Sequence, residues 1–175
     1  MDDDGDMIRA VYDVSYRRLV TQMVAVCGDR PEAEDVVQES FLTAMTHRAT
    51  FAQAANKEAW LRTVALNLVR HRWRRARVAR RVLPKFRAEL SIDLGSHAPE
   101  DHVALVRALG QLSMPVRVTV VLHYIADLSV AQISSELSVP EGTVKARLAR
   151  ARAQMAAHLS VQDEQDEDHE EADHV

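Results

Sequence analysis

Hydrophobic residues recur every three or four positions through most of this chain, a period that predicts helices rather than strands. No segment shows a strand-like alternation of any length. Glycine and proline, which interrupt helices, number only five each among 175 residues. The sequence therefore predicts an all-α protein, and its length allows one ordinary domain or two small ones.

Three helices are predicted in the first half of the chain. The first spans residues 8–27, and Asp29 can cap a second helix that extends to about residue 47. A loop covers residues 48–56, and Asn56 can cap a third helix that begins at Lys57. The core faces of these helices are assigned to Ile8, Val11, Tyr12, Tyr16, Leu19, Val20, Met23 and Cys27, to Ala33, Val36, Val37, Phe41, Ala44 and Met45, and to Trp60, Leu61, Val64, Ala65, Leu68 and Val69.

Four shorter helices are predicted in the second half, at about 100–111, 114–126, 130–137 and 140–159. Ser129 with Gln132, and Ser138 with Glu141, have the spacing of capping boxes. Proline and glycine interrupt the segment before these helices, and the segment after them is too charged to fold. The predicted organisation is an acidic tail (1–7), a helical domain (8–83), a linker (84–100), a second helical domain (101–160) and an acidic disordered tail (161–175).

The charge of the chain is unevenly distributed. The net charge is −4, but all 22 lysines and arginines lie between residues 7 and 162, together with only 14 of the 26 acids. That body carries +8, and residues 70–87 alone hold nine basic residues. A basic body with acidic ends indicates a polyanionic partner, although a solvated basic surface with solubilising tails would have the same composition.

The last predicted helix has the distribution of side chains expected of a DNA-reading helix. Winding residues 142–159 as a helix collects an apolar stripe of Val144, Leu148, Ala151, Met155 and Leu159. The opposite face is lined by small residues. Thr143, Arg147 and Arg150 flank it on one side, and Lys145 and Arg152 flank it on the other. Two capped helices with a short turn, the second basic, predict a helix-turn-helix, with an ordinary amphipathic surface helix as the open alternative.

Three segments of the chain resemble one protein family. "LSVAQISSELSVPEGTVKARLARAR" (128–152) resembles region 4 of bacterial sigma factors of the extracytoplasmic-function (ECF) group. "AEDVVQESFLTAM" (33–45) resembles region 2.2 of that group, and "AWLRTVALNLVRHRWRR" (59–75) resembles regions 2.3 and 2.4. The three occur in the family's order with only a linker between the two halves. The resemblance covers roughly residues 8–160 and implies two helical domains, region 2 and region 4.

The resemblance also implies which residues meet which partner. In the family the region 2.2 helix docks on core RNA polymerase, which corresponds here to Asp35, Gln38, Glu39 and Leu42. The loop 51–58 and the basic helix after it correspond to the part that binds the −10 promoter element, with the residues Phe51, Asn67, Arg70, Arg72, Trp73, Arg74 and Arg75. The residues implied for the −35 element are Thr143, Lys145, Arg147 and Arg150. Two alternatives are left open. One is that Phe51 is a core residue under its loop, and the other is that Trp73 packs on its own domain.

The second half of the chain departs from the family's usual pattern at Ser138 and in the segment 113–118. Ser138 stands in the helix-turn-helix where the family commonly has glycine. The segment "SMPVRV" (113–118) replaces the usual entry to region 4, so a contact of Arg117 with the DNA backbone is left open.

The resemblance implies an alternative sigma factor that binds core RNA polymerase and promoter DNA, recognises both elements and helps to melt the promoter. An anti-sigma factor is expected as a further partner by analogy. No enzymatic activity, cofactor or metal is expected, since the sequence has no phosphate-binding loop and its histidines lack metal-ligand spacing. A single cysteine, an acidic start and the lack of a run of about 20 apolar residues predict a cytoplasmic protein without membrane insertion.

Two other functions remain open at this level. One is a DNA-binding regulator that uses only the C-terminal helix-turn-helix and never joins polymerase. The other is an interaction protein whose helical bundles are adaptor modules, with the basic stretch binding RNA or an acidic partner.

Overall fold

The computed structural model describes the backbone of residues 3–82 and 100–172, and the side chains of residues 5–78 and 102–156. All regular structure in these ranges is helical, as predicted. The elements are α1 Asp3–Cys27, α2 Arg30–Thr46, α3 Arg48–Gln53, α4 Lys57–Val82, α5 Glu100–Gly110, α6 Met114–Tyr124, α7 Val130–Leu137 and α8 Glu141–Ala172. The chain divides into two compact units, Met1–Val106 and Arg107–Val175. The predicted linker lies outside the described residues, except that Glu100 begins α5.

The connection between α1 and α2 is short because its residues end one helix and start the next. Gly28 has a φ of 78°, a left-handed conformation that glycine adopts without strain, and its N–H bonds to the carbonyl of Val24 at 2.8 Å. The side chain of Asp29 then accepts a 2.6 Å hydrogen bond from the N–H of Glu32, which confirms the predicted cap. The two helices therefore pack along each other, and α4 packs on both.

A polar network fixes α4 against α1 in the first unit. Arg62 is almost fully buried, and its Nη1 donates to Oε1 of Gln22 at 3.2 Å and lies 3.8 Å from Oε1 of Glu58. Glu58 also pairs with Arg18 and accepts a 3.3 Å hydrogen bond from Ser15. A buried guanidinium is costly unless carboxylate and amide oxygens satisfy it, so this network sets how α4 lies on α1.

Several boundaries in the first unit differ from the prediction. α1 begins at Asp3, within the predicted acidic tail, because acidic residues in a first turn complement the helix dipole. The predicted loop 48–56 contains the six-residue helix α3. The cap at Asn56 is confirmed by a 2.9 Å hydrogen bond from the N–H of Ala59. Two residues assigned to the core, Tyr12 and Met45, are exposed.

The second unit is built around α6, whose residues from Val116 to Leu122 are all buried. α6 packs against α7 and α8, and α7 packs against α8. Ile133 of α7 and the predicted stripe residues Val144, Leu148 and Ala151 of α8 complete the core. Met155 is only partly buried, and the side chain of Leu159 lies outside the described residues.

The turn of the helix-turn-helix confirms one predicted capping box and corrects the other. The N–H of Ser129 donates to Oε1 of Gln132 at 2.8 Å, and the N–H of Gln132 donates to Oγ of Ser129 at 3.2 Å. Ser138, by contrast, ends α7 in the left-handed conformation with a φ of 53°. The first turn of α8 forms on the carbonyl of Pro140, which accepts from the N–H of Thr143 at 2.9 Å. The predicted capping of α8 by Ser138 is therefore wrong.

The C-terminal boundary is also corrected. α8 continues to Ala172, whereas the sequence predicted its end near residue 159 and a disordered tail from 161. Neither glycine nor proline follows Gly142, and glutamate, glutamine and alanine are good helix formers, so nothing in the composition stops the helix. The acids of its last turns nevertheless oppose the helix dipole.

Candidate nucleic-acid and protein interfaces

One face of α2 presents the four residues that were predicted to bind a protein partner. Asp35, Gln38, Glu39 and Leu42 are all exposed, with 71% of the Asp35 side chain and 61% of Leu42 accessible. The opposite face of the same helix, including Val36, Val37, Ala44 and the largely buried Phe41, forms core. The helix thus offers carboxylates, an amide and a large apolar side chain on one surface, a combination suited to a basic amphipathic partner.

An apolar groove adjoins this surface, and the sequence did not reveal it. It has a volume of about 430 Å³ between α1 and α2. Tyr12 closes one side by stacking on Tyr16, with ring centroids 4.6 Å apart, and by meeting Phe41 edge-on at 5.0 Å. The helical period assigned Tyr12 to the core, and no sequence signal distinguishes a groove wall from a core position. The full lining is Gly5, Ile8, Arg9, Tyr12, Gln38, Phe41, Leu42, Met45 and Arg48.

The predicted −10 residues do not form one patch. Arg74 and Arg75 are exposed near the C-terminal end of α4, and Trp73 is half-buried. Asn67 is exposed about two turns before Arg74, and its Oδ1 accepts a 3.4 Å hydrogen bond from Nη1 of Arg70. An exposed amide beside arginines has the chemistry to read a base edge next to a phosphate backbone.

Phe51 lies apart from this surface. Its side chain is fully buried in α3, and its ring meets Trp60 edge-on with centroids 5.2 Å apart. Nζ of Lys57 lies 6.0 Å from the same ring. This position corresponds to the core role that the sequence left open for Phe51.

Arg72 joins the two predicted interfaces. Its Nη2 lies 3.0 Å from Oε2 of Glu39, and its Nη1 lies 3.7 Å from Oδ2 of Asp35. Glu32, at the start of the same α2 face, has a pKa raised above the ordinary value chiefly by burial. The charge of Arg72 opposes this rise, while Asp29 and Asp35 add to it. A predicted DNA-binding arginine therefore sits against an acidic strip of the predicted protein-binding helix.

The recognition helix α8 presents its predicted residues to different degrees. Lys145 and Arg150 are exposed, and Thr143 and Arg147 are half-buried. Nζ of Lys145 lies 3.9 Å from Oε2 of Glu141, one turn before it. Gly142, Ala146 and Ala149 are exposed between these side chains, and the space around Gly142 is open. A small-residue face with flanking cations allows a close approach to a DNA groove.

Arg117, left open as a DNA contact, is a buried structural residue. Its side chain is 2% exposed, and its Nη2 donates to the carbonyl of Gly110 at 2.8 Å and to that of Leu112 at 3.2 Å. The carbonyl of Gly110 is the last of α5 and that of Leu112 lies in the turn after it, so the cation satisfies acceptors that follow the helix end. Nothing in the residue pattern predicts this burial, since arginine is rarely found inside proteins.

Within residues 3–82 and 100–172, no group of three or more histidine, cysteine, aspartate and glutamate side chains could hold a metal ion. Among the same residues, none of the helices has the length and apolar character needed to cross a membrane.

Comparison with known families matches both units. The family model described as "Sigma-70 region 2" matches residues 11–79, and that described as "Sigma-70, region 4" matches residues 102–155. The first match contains α2 and the predicted −10 residues. The second contains the helix-turn-helix.

Similar proteins and structures agree with these matches. The chain is 36% identical over 149 residues to the ECF RNA polymerase sigma factor SigL of Mycobacterium tuberculosis, covering 83% of this chain and 84% of that one. It is 25% identical over 169 residues to the ECF RNA polymerase sigma factor SigW of Bacillus subtilis, covering 89% and 90%. Its fold resembles that of the sigma factor RpoE of Bartonella quintana, solved in complex with the anti-sigma factor NepR. The TM-score is 0.71 at 22% identity, and the match covers 87% of this chain and 96% of that one.

Proposed function

The chain belongs to the ECF sigma factors, and on that premise we propose how its residues divide the work of directing RNA polymerase to specific promoters. As a sigma factor it is a transcription regulator that binds core RNA polymerase and promoter DNA. The proposal assigns polymerase docking to α2, the −10 element to α4 with the residues before it, and the −35 element to α8.

The exposed face of α2 supports the assignment to polymerase. Asp35, Gln38, Glu39 and Leu42 share a surface although the other side of the helix is core. Leu42 is an apolar side chain that is 61% exposed among the polar residues of this face. Such an apolar centre with a polar surround is typical of a docking surface.

Exposed polar and cationic side chains support the DNA assignments. Asn67, Arg74 and Arg75 on α4 are open to solvent, and Lys145 and Arg150 flank the small face of α8. Thr143 and Arg147 are proposed as contacts that complete the −35 surface, and Arg70, Arg72 and Trp73 as contacts at the −10 element. Phe51 would contribute through the shape of the region under the loop rather than by direct stacking, since its ring is buried.

We also propose an anti-sigma factor as a regulatory partner and the cytoplasm as the site of action. RpoE of Bartonella quintana has been solved with such a partner, and its fold is similar to the one described here. Polymerase and promoter, the two partners of a sigma factor, are both in the cell interior.

Co-elution with polymerase tests the proposal directly. The full chain is mixed with core RNA polymerase and run on a size-exclusion column, and the two are expected to elute together. The double variant Asp35→Ala, Gln38→Ala should lose co-elution, while Glu34→Ala, which removes a carboxylate paired with Arg30 in the same helix, should retain it. If the wild-type chain bound duplex DNA but never co-eluted with polymerase, the regulator alternative would replace this assignment.

A further inference from the structure

Arg72 forms ion pairs between two helices, α4 and α2, that have different proposed partners. It belongs to α4, and 35% of its side chain is exposed. Its two terminal nitrogens approach two carboxylates of α2, Glu39 at 3.0 Å and Asp35 at 3.7 Å. These carboxylates are four residues apart and therefore lie on one face of the helix, where the planar guanidinium fork can approach both.

This arrangement makes the two proposed interfaces compete for the same charges. A guanidinium whose terminal N–H groups point at carboxylates is less available to a DNA phosphate. A carboxylate that is neutralised by an arginine is correspondingly less available to a basic partner helix. A partner that takes one of these charges at either interface therefore competes with the contacts of Arg72 with Asp35 and Glu39.

We propose that Arg72 couples polymerase docking to DNA binding. In the free protein α2 holds Arg72, which lowers the affinity of α4 for DNA. Polymerase takes the carboxylates of Asp35 and Glu39 and releases the guanidinium to the promoter. By linkage, DNA that takes Arg72 raises the affinity of α2 for polymerase by the same factor. The inference rests on the assignment of α2 to polymerase in the proposed function.

The solvent exposure of the ion pairs of Arg72 with Asp35 and Glu39 limits the size of the coupling. Partly exposed ion pairs contribute little, so the coupling is expected to change affinity by about two- to five-fold. The pair between Arg30 and Glu34 provides a matched comparison, because it has a 2.8 Å contact and the same charges but joins two residues of α2 itself. The variant Glu34→Gln therefore reports the general effect of removing one negative charge from this helix.

The first experiment measures DNA binding by the free, full-length chain. The probe is a fluorescein-labelled DNA fork with an oligo-dT single-stranded arm, followed by anisotropy at low salt. Glu39→Gln is expected to raise affinity about two- to five-fold beyond the change in Glu34→Gln, because Arg72 loses the closer of its two carboxylates. In an Arg72→Gln background, Glu39→Gln and Glu34→Gln should have equal effects. If Glu39→Gln and Glu34→Gln had equal effects already in the wild-type background, the inference would be overturned. Thermal melts check that each variant is folded.

The second experiment measures affinity for core RNA polymerase with the same labelled chains. Arg72→Gln is expected to raise affinity about two- to five-fold because it frees both carboxylates, and Glu39→Gln is expected to lower it. Unchanged or weaker binding of Arg72→Gln would overturn the coupling while leaving the proposed function intact. Failure of the wild-type chain to bind polymerase would overturn the proposed function, and the coupling with it.

Discussion

The ring of Phe51 meets the ring of Trp60 edge-on, with centroids 5.2 Å apart and planes at 67°. This contact anchors the six-residue helix α3 to α4, because Phe51 is the buried residue of α3 and is fully enclosed. A helix of this length has little stability of its own and depends on such tertiary contacts. The position that the family resemblance associates with the −10 element is therefore a packing position in the free protein.

Phe51→Ala is expected to lower the free energy of unfolding by about 3–5 kcal/mol, the usual cost of removing a buried phenylalanine ring. Phe51→Leu retains most of the volume and should cost less than about 1.5 kcal/mol. Urea denaturation followed by circular dichroism gives both values. An Ala variant with wild-type stability but weaker binding to fork DNA would contradict the core role and support direct stacking on a base.

Ser138→Gly is expected to stabilise the second unit by about 1 kcal/mol, because a residue with a side chain is strained in the left-handed conformation that Ser138 adopts. A gain of that size raises the melting temperature of a small domain by about 4–8 °C. Ser138→Ala is the matched control, since alanine has the same strain and should give no gain. If both variants melted at the same temperature, strain at this turn would not limit stability.

Arg117→Met is expected to destabilise the second unit by about 2–4 kcal/mol, because it leaves the carbonyls of Gly110 and Leu112 without this donor in a buried site. The exposed Arg107→Met should change stability by less than about 0.5 kcal/mol. Thermal melts measure the stability of both variants. A stable Arg117→Met protein with reduced affinity for duplex DNA would instead indicate a DNA contact.

The parts of the fold that the sequence predicted are those fixed by local interactions. Asp29, Asn56 and Ser129 each bond to a backbone N–H three residues further on, so residue type and spacing are enough to identify them. Ser138 shows the limit of that reasoning, because its spacing to Glu141 fits a capping box while the reversal of the chain after α7 requires a left-handed residue there. The direction of the chain after a helix is not encoded in the capping pattern.

In the candidate site, too, features set by local sequence could be predicted and those set by tertiary packing could not. The outward position of Asp35, Gln38 and Leu42 could be predicted from the helical period, since the opposite positions of α2 are apolar. The pairing of Arg72 with Glu39 joins residues 33 positions apart and depends on how α4 lies on α2. Burial of Arg117 and the groove beside Tyr12 likewise depend on tertiary packing, for which periodicity gives no signal.

Glu32→Gln is expected to stabilise the first unit at neutral pH by less than about 1 kcal/mol. Burial raises the pKa of Glu32 above its ordinary value, so folding disfavours the charged carboxylate. This penalty is absent at pH values below the pKa of Glu32 in the unfolded chain. It develops as the pH rises from that value through the higher pKa of Glu32 in the folded protein. Urea melts should therefore show a gain for the variant near pH 7 and none near pH 4. A gain of equal size at both pH values would show that ionisation of Glu32 is not its cause.

Lys145→Ala and Arg150→Ala are expected to weaken binding to duplex DNA and to reduce the salt dependence, because each cation that neutralises a phosphate releases a counterion. Each substitution should make the plot of log affinity against log salt concentration less steep by about 0.9. Arg107→Ala, an equal change of charge at an exposed position of α5, is the matched control and should leave the slope nearly unchanged. Fluorescence anisotropy over a range of salt concentrations gives the slopes. An equal fall for all three variants would mean that net charge, rather than the geometry of α8, determines DNA binding.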